Sequence, residues 1–297
     1  MPGPMEGVMN PLFCRTAGAL DLLPVMVTPF LRISTDVPRR GKIRKWLESL
    51  RIPGKPLVVQ LMGDDPVNLS AAAEILYADC GVREFNLNFA CPSGQVVRSG
   101  AGGALLKDPE RMRRITAAIR EALPDISLSV KLRCGFVDPV EIDGIIPAFD
   151  GLIDYMAVHY RTVGEGYRRI DDGLERLKRV VALSPVPVVG NGDIATPEDA
   201  AAMMDFTGCA GVMCARGLLR DPYLLKRLSG AECPEAVAGR EAFFRRALEI
   251  AAAEEEYWSR PRLVELARFV YGTESTRFRE LIAVKEFTPE NLLKIIG

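Results

Sequence analysis

The sequence predicts an α/β fold, a (β/α)8 TIM barrel with a small C-terminal all-helical domain. Three observations predict it. Short aliphatic runs alternate with helix-like stretches, the runs number eight, and the pattern turns wholly helical near residue 230. In chain order the runs are Pro4-Met5, Leu23 to Thr28, Leu57 to Leu61, Glu84 to Asn88, Leu128 to Leu132, Tyr155 to His159, Val186 to Gly190 and Gly211 to Cys214. Each is of strand length and mostly aliphatic or β-branched. Amphipathic stretches such as Pro66 to Tyr77 and Pro109 to Leu123 lie between them, which is the pattern of parallel βαβ units. Eight repeats suit a closed barrel better than an open doubly wound sheet, and no G-x-G-x-x-G follows the first run. The expected division is a barrel over residues 1–230 and a helical domain over 231–297. The expected helices of the latter are Glu241 to Tyr257, Arg262 to Tyr271, Ser275 to Val284 and Thr288 to Ile296.

Composition narrows the function classes. The chain has 297 residues, 48% hydrophobic and 26% charged, which is ordinary for a globular protein. No apolar run approaches the ~18–20 residues of a membrane span. Met1 to Glu6 has neither the basic nor the apolar region of a secretory signal, so a cytoplasmic monomer with no membrane partner is expected. Seven cysteines, an odd number with no C-x-x-C pair, argue against a disulfide framework and a structural zinc site, and no metal is expected. The net charge of −1 is not that of a strongly basic nucleic-acid binder, so any RNA must be held by a local basic patch. The cluster Pro38 to Lys45 is one candidate, and a solvated helix start is its bland alternative.

Gln60, Asn88, Lys131, His159 and Asn191 each fall near the C-terminal end of a run. Strand ends are often polar because the chain exits to solvent there. Five such residues on successive strands point instead to the barrel face that carries chemistry.

The most informative segment is Asn86-Leu87-Asn88-Phe89-Ala90-Cys91-Pro92-Ser93, followed by Ser99-Gly100-Ala101-Gly102-Gly103-Ala104-Leu105-Leu106. A strand ends at Asn88, a loop begins with Cys91, and the glycines let that loop fold tightly over the barrel mouth. Here the chain resembles the tRNA-dihydrouridine synthase family, from Pro4 to about Leu228. The other matching motifs, in order, are Pro4-Met5-Glu6-Gly7-Val8, Val59-Gln60-Leu61, Val130 to Arg133, Val158 to Thr162, Asn191 to Ile194 and Val212 to Gly217. Glu6 and Gly166-Tyr167-Arg168 are most similar to the subgroup acting on position 16 of tRNA.

The resemblance implies reduction of a tRNA uridine to 5,6-dihydrouridine, with FMN as cofactor and NADPH as reductant. Hydride passes from N5 of reduced FMN to C6, and an acid protonates C5. Cys91 would be that acid, since a thiol with a reference pKa of about 8.5 is largely protonated at neutral pH. Lys131 would stabilise the anionic reduced ring at its N1–O2 edge. Gln60 would bond the ring's pyrimidine edge, and His159, the only histidine, would contact flavin or substrate. Pro4, Met5 and Glu6 would line the cofactor. Asn191, Gly192, Asp193, Ala215 and Arg216, in the loops after strands seven and eight, would take its phosphate. Asn88, Arg161 and Tyr167 would meet a uracil flipped out of the RNA.

The chain also departs from the family pattern. Gly94 stands where a lysine usually follows Cys-Pro-Ser, with Arg98 four residues on. Pro29 follows Thr28 in place of a glutamate, and Asn86, Tyr160 and Ala215 replace Asp, Gly and Gly. Two other readings therefore stand beside the first. One is an FMN barrel reductase of a small enone or pyrimidine. The other is a non-catalytic RNA-binding relative.

Overall fold

The computed structural model describes residues 1–254 and 258–296. Its sheet is parallel throughout. In chain order the strands are β1 (Met26–Val27), β2 (Leu31–Arg32), β3 (Leu57–Met62), β4 (Glu84–Asn88), β5 (Ser127–Arg133), β6 (Tyr155–His159), β7 (Val188–Asn191) and β8 (Gly211–Met213). From β3 to β8 each strand pairs with the next.

β1 and β2 are two pieces of one barrel position, because both pair with β3, at Leu57–Val58 and at Leu61–Met62. Pro29 lies in the gap between them. It has no N–H to give a ladder, so the strand breaks there and resumes two residues on. The Thr28 hydroxyl bridges part of the gap by accepting the Gln60 N–H at 3.0 Å. The run expected at Leu23 to Thr28 is thus corrected to a split strand.

The expected first strand at Pro4-Met5 is also corrected. Pairing occurs earlier, where Pro2 bridges Cys214 in parallel. Gly3 donates its N–H to the Cys214 carbonyl at 2.7 Å. The last strand position is thereby joined to the first, and the chain is a (β/α)8 barrel of eight strand positions.

Several intervening helices start where the sequence places a polar cap before a proline. Asp65-Pro66, Asp108-Pro109 and Thr196-Pro197 each put a side-chain oxygen on the N–H three residues after the cap. Proline at the first helical position loses no hydrogen bond there.

The C-terminal helices span Ala236–Ala253, Arg260–Tyr271, Thr276–Ile282 and Pro289–Ile296. The first begins five residues before the expected Glu241. The expected end at Tyr257 lies outside the described residues. These helices are not detached from the barrel. Phe243 and Phe244 are buried in the same apolar cluster as barrel residues, and the Phe243 ring lies 5.4 Å from that of Phe13 on the Pro11–Ala19 helix. No helix among the described residues is long and apolar enough to cross a membrane.

Strand alternation decides what faces the lumen. Ladder partners share a face, and residues two apart on a strand share it too. The register Gln60–Asn86–Ser129, Asn88–Lys131 and Arg133–His159–Asn191 places these polar side chains on one side of the sheet.

Candidate functional site

A cavity of about 1020 Å³ opens at the C-terminal ends of the strands. That is at the upper end of the roughly 300–1,000 Å³ usual for small-molecule and cofactor pockets. Its walls include Pro4, Met5, Glu6, Asn88, Cys91, Lys131, His159, Arg161, Tyr167, Asn191, Gly192, Asp193, Ala215 and Arg216. Every residue assigned from the sequence to catalysis, cofactor or substrate therefore reaches one cavity, with the exception of Gln60.

Gln60 has no exposed surface. Its amide donates to Asn86 Oδ1 at 2.7 Å and accepts from Asn88 Nδ2 at 2.9 Å. Asn86 in turn donates to the Ser129 hydroxyl at 2.9 Å, which donates to the Phe85 carbonyl at 3.1 Å. Expected to bond the flavin ring, the Gln60 amide lies in the fold in a buried relay with Asn86 and Asn88. The relay also accounts for Asn86, since a carboxylate could not donate to Ser129.

The relay ends at the Cys91 loop. Asn88 Oδ1 accepts from the N–H groups of both Ala90 and Cys91 at 3.0 Å, an Asx-type turn that aims the chain after β4. The Cys91 carbonyl accepts from Gly103 N–H at 3.0 Å. A Cβ on Gly103 would stand 2.9 Å from that carbonyl and 2.6 Å from Val163 Cγ2, so only glycine permits the approach. The glycine run thus buttresses the cysteine loop from behind. The run itself does not line the cavity, whereas Cys91 and Pro92 of the loop it supports do.

Cations dominate the walls. Lys131, Arg133, Arg161, Arg169, Arg216, Arg220 and Arg268 line the cavity against Glu6 and Asp193. This is the local basic patch that a net charge of −1 requires for an RNA partner. Lys131 has no carboxylate within 4 Å among the described residues, and burial, with Arg133 adding repulsion, pushes its ammonium pKa down to about 7. Burial and the charges of Lys131, Arg133, Arg161 and Arg216 hold the His159 imidazole well below its usual value, so it is neutral. Its Nδ1 accepts the Arg161 backbone N–H at 3.2 Å, which leaves the ring proton on Nε2 as a donor.

Arg161 is 1% exposed. It bonds the Arg168 carbonyl and Asp193, while its buried Nη1 has no partner in the fold. Asp193 also accepts from Arg216 Nη2 at 2.7 Å. Its carboxylate is therefore a tie between two arginines. The carboxylate thereby places Arg216, while the expected phosphate contact of this loop is one of backbone N–H groups. Tyr167 is 60% exposed, with Arg133 and Arg216 guanidiniums 5.4 and 4.7 Å from its ring centre.

Gly192 holds φ +145°, and a Cβ there would fall 2.2 Å from the Tyr160 ring. Gly192→Ala should destabilise the protein by about 1–3 kcal/mol through strain and overpacking. A urea melt with an unshifted midpoint would contradict this.

Arg98 Nη1 lies 3.3 Å from where a Cβ on Gly94 would be, so its guanidinium covers the position the family usually gives to lysine. The Pro38 to Lys45 cluster does not reach the cavity, and Arg40 is paired there with Asp79 at 2.9 Å. Sequence reading missed Arg133, Phe30, Arg169, Arg220, Arg268, Phe269 and Thr273 in the walls. Arg133 carried a usable signal, two residues beyond Lys131 and so on the same face of β5. Arg268 and Phe269 carried none, because a helix pattern does not say what it docks against.

The sequence profile described as Dihydrouridine synthase (Dus) matches residues 1–261. The chain belongs to the dihydrouridine synthase family. Similar proteins include the tRNA-dihydrouridine(16) synthase of Vibrio vulnificus (strain CMCP6), 33% identical over 75% of this chain and 72% of the relative. That of Cupriavidus necator is 37% identical over 73% and 64%. Among solved structures, histamine dehydrogenase from Rhizobium sp. 4-9 superposes with a TM-score of 0.57 at 16% identity, covering 84% of this chain and 48% of the other. The 6-hydroxypseudooxynicotine amine oxidase of Pseudomonas geniculata N1 gives 0.59 at 13%, covering 84% and 49%. At such identities these two speak to the fold alone. The expected resemblance to dihydrouridine synthases is borne out, and the chain is an oxidoreductase of that family.

Proposed function

We propose that the cavity binds FMN and that the chain reduces uridine 16 of tRNA to 5,6-dihydrouridine, with NADPH as reductant. The observation that carries the reading is that the Cys91 loop shares one cavity with an unpaired Lys131 and a neutral, Nε2-protonated His159. Position 16 rests on the names of the relatives and on Glu6 and Tyr167.

The donor set fits FMN. A phosphate needs cations and N–H groups, and the arginine-rich wall near Asn191, Gly192, Ala215 and Arg216 offers them. The orphaned Arg161 Nη1 calls for an acceptor from a ligand. Bound and reduced, FMN supplies a hydride to uracil C6. Lys131 balances the ring's negative charge, and His159 donates its Nε2–H to a ligand acceptor. Cys91 gives its proton to C5, so that the base gains one hydride and one proton. Pro4, Met5 and Glu6 line the cofactor space, while Asn88 and Gln60 act through the Cys91 loop. Arg161 and Tyr167 flank the incoming base, with Tyr167 open to stacking.

Arg169, Arg220 and Arg268 favour RNA over a small enone, since the last comes from a C-terminal helix and widens the basic rim beyond what a small substrate needs. Mass spectrometry of tRNA nucleosides from a deletion strain, mapped to position, tests the reading. Loss of dihydrouridine at position 16 is expected. Loss elsewhere overturns the position, and no loss at all overturns the reaction.

A further inference from the structure

We infer that Arg133 is a positioning residue that sets the acid Cys91 and the base-facing Tyr167 in register with each other. The inference rests on the reading of Cys91 as proton donor. Arg133 is the last residue of β5, which lies between β4 and β6 in the sheet. Its side chain therefore stands between the loops that follow those two strands.

It is 2% exposed, and its hydrogen bonds go to both loops. Nε donates to the Ala90 carbonyl at 2.9 Å. Nη1 donates to the Thr162 carbonyl at 2.9 Å and to the Gly166 carbonyl at 2.8 Å. Ala90 immediately precedes Cys91, and Gly166 immediately precedes Tyr167. One planar guanidinium thus fixes the peptide unit leading into each of the two residues. Rotation of either peptide would swing its side chain relative to the other across the cavity. Lysine could not take this role, because one ammonium on a flexible stem cannot span two loops with fixed angles.

The carbonyls also explain why a buried cation is tolerated there without a carboxylate. Three carbonyl oxygens take three of its five N–H groups, and in return it satisfies groups that strand ends leave bare. The tie does not depend on substrate, so its loss should be readable in the RNA-free enzyme.

The test uses the flavin-loaded full chain as wild type, Arg133→Ala, Arg133→Lys and Cys91→Ala. The rate of Cys91 alkylation by iodoacetamide, followed on its peptide by mass spectrometry without RNA, should change about threefold or more in both Arg133 variants. At saturating tRNA, kcat should fall about 10- to 100-fold, as a shift of around 1 Å in a reacting group would give. Because Arg133 also lines the cavity, the loss is read as kcat per bound flavin at saturating tRNA, with KM for tRNA measured beside it. If Arg133→Ala does not fold, Arg133→Lys carries the same comparison. Unchanged alkylation, or full activity in Arg133→Lys, overturns the inference. A fall expressed in KM alone does so too. Normal turnover by Cys91→Ala would instead overturn the acid assignment, so the two failures are distinguishable.

Discussion

Cys91→Ala is expected to lower tRNA-dependent turnover by about 10²- to 10⁴-fold, the usual contribution of a positioned acid, while the flavin stays bound and reducible by NADPH. The split follows from where the thiol sits. Its loop is held through the loop's own backbone, by the Asn88 side-chain oxygen, the Gly103 N–H and the Arg133 guanidinium, with none of these bonds made by the thiol. Truncating the side chain therefore leaves the loop in place and the cation-lined wall untouched. The reductive step with nicotinamide needs no proton at uracil C5 and should run at the wild-type rate. The oxidative step does need that proton and should stall. Rapid-mixing absorbance at the flavin band separates the two steps. Equal rates of RNA-dependent reoxidation in variant and wild type would remove Cys91 from the mechanism.

Lys131→Met should weaken FMN retention by about 10- to 100-fold, the scale of removing one charge-assisted hydrogen bond from a low-dielectric site. It should also alter the pH dependence of the flavin-free protein. The folded-state pKa of Lys131 is depressed to about 7, against 10.5 for an unperturbed lysine. Between those values the unfolded chain binds the extra proton, so stability rises with pH through this window. Below about pH 7 the full cost of a buried ammonium is present. Flavin-free Lys131→Met should therefore melt above wild type at pH 7, with the gap narrowing steadily as the pH rises toward 10.5. An anionic ligand reverses the preference, drawing a proton onto Lys131 as it binds. FMN affinity of the wild type should fall above pH 7, by at most about tenfold per unit. Calorimetry in buffers of different ionisation heat reads the proton uptake. A variant that purifies fully flavinated, with an unchanged pH profile, would sink the assignment.

Much of this was legible in the chain because barrels repeat a simple rule. Strand periodicity located β3 to β8, and polar residues ending those strands located the mouth. Other features are not local properties of sequence. Gln60 looks like its neighbours until the fold sets its amide against Asn86, in a buried relay. Pro29 announced a break, yet only the pairing with Leu61 and Met62 reveals that the strand resumes. Asp193 read as part of a phosphate loop, and its partners Arg161 and Arg216 come from 32 residues before it and 23 after. The basic stretch near Lys42 was conspicuous in sequence but sits away from the cavity. Arg268, unremarked in the sequence, lines it.

Phe269, Gly272 and Thr273 stand in the same wall as Arg216 and Leu219. The opening through which a nucleotide must pass is thus framed partly by the C-terminal helices and partly by the turn after β8. Trimming the protein to its repeating units would leave the chemistry without its doorway, and would strip the hydrocarbon cover from Phe13. Changes in which nucleotide is admitted can therefore arise far along the chain from the thiol, by reshaping the frame alone.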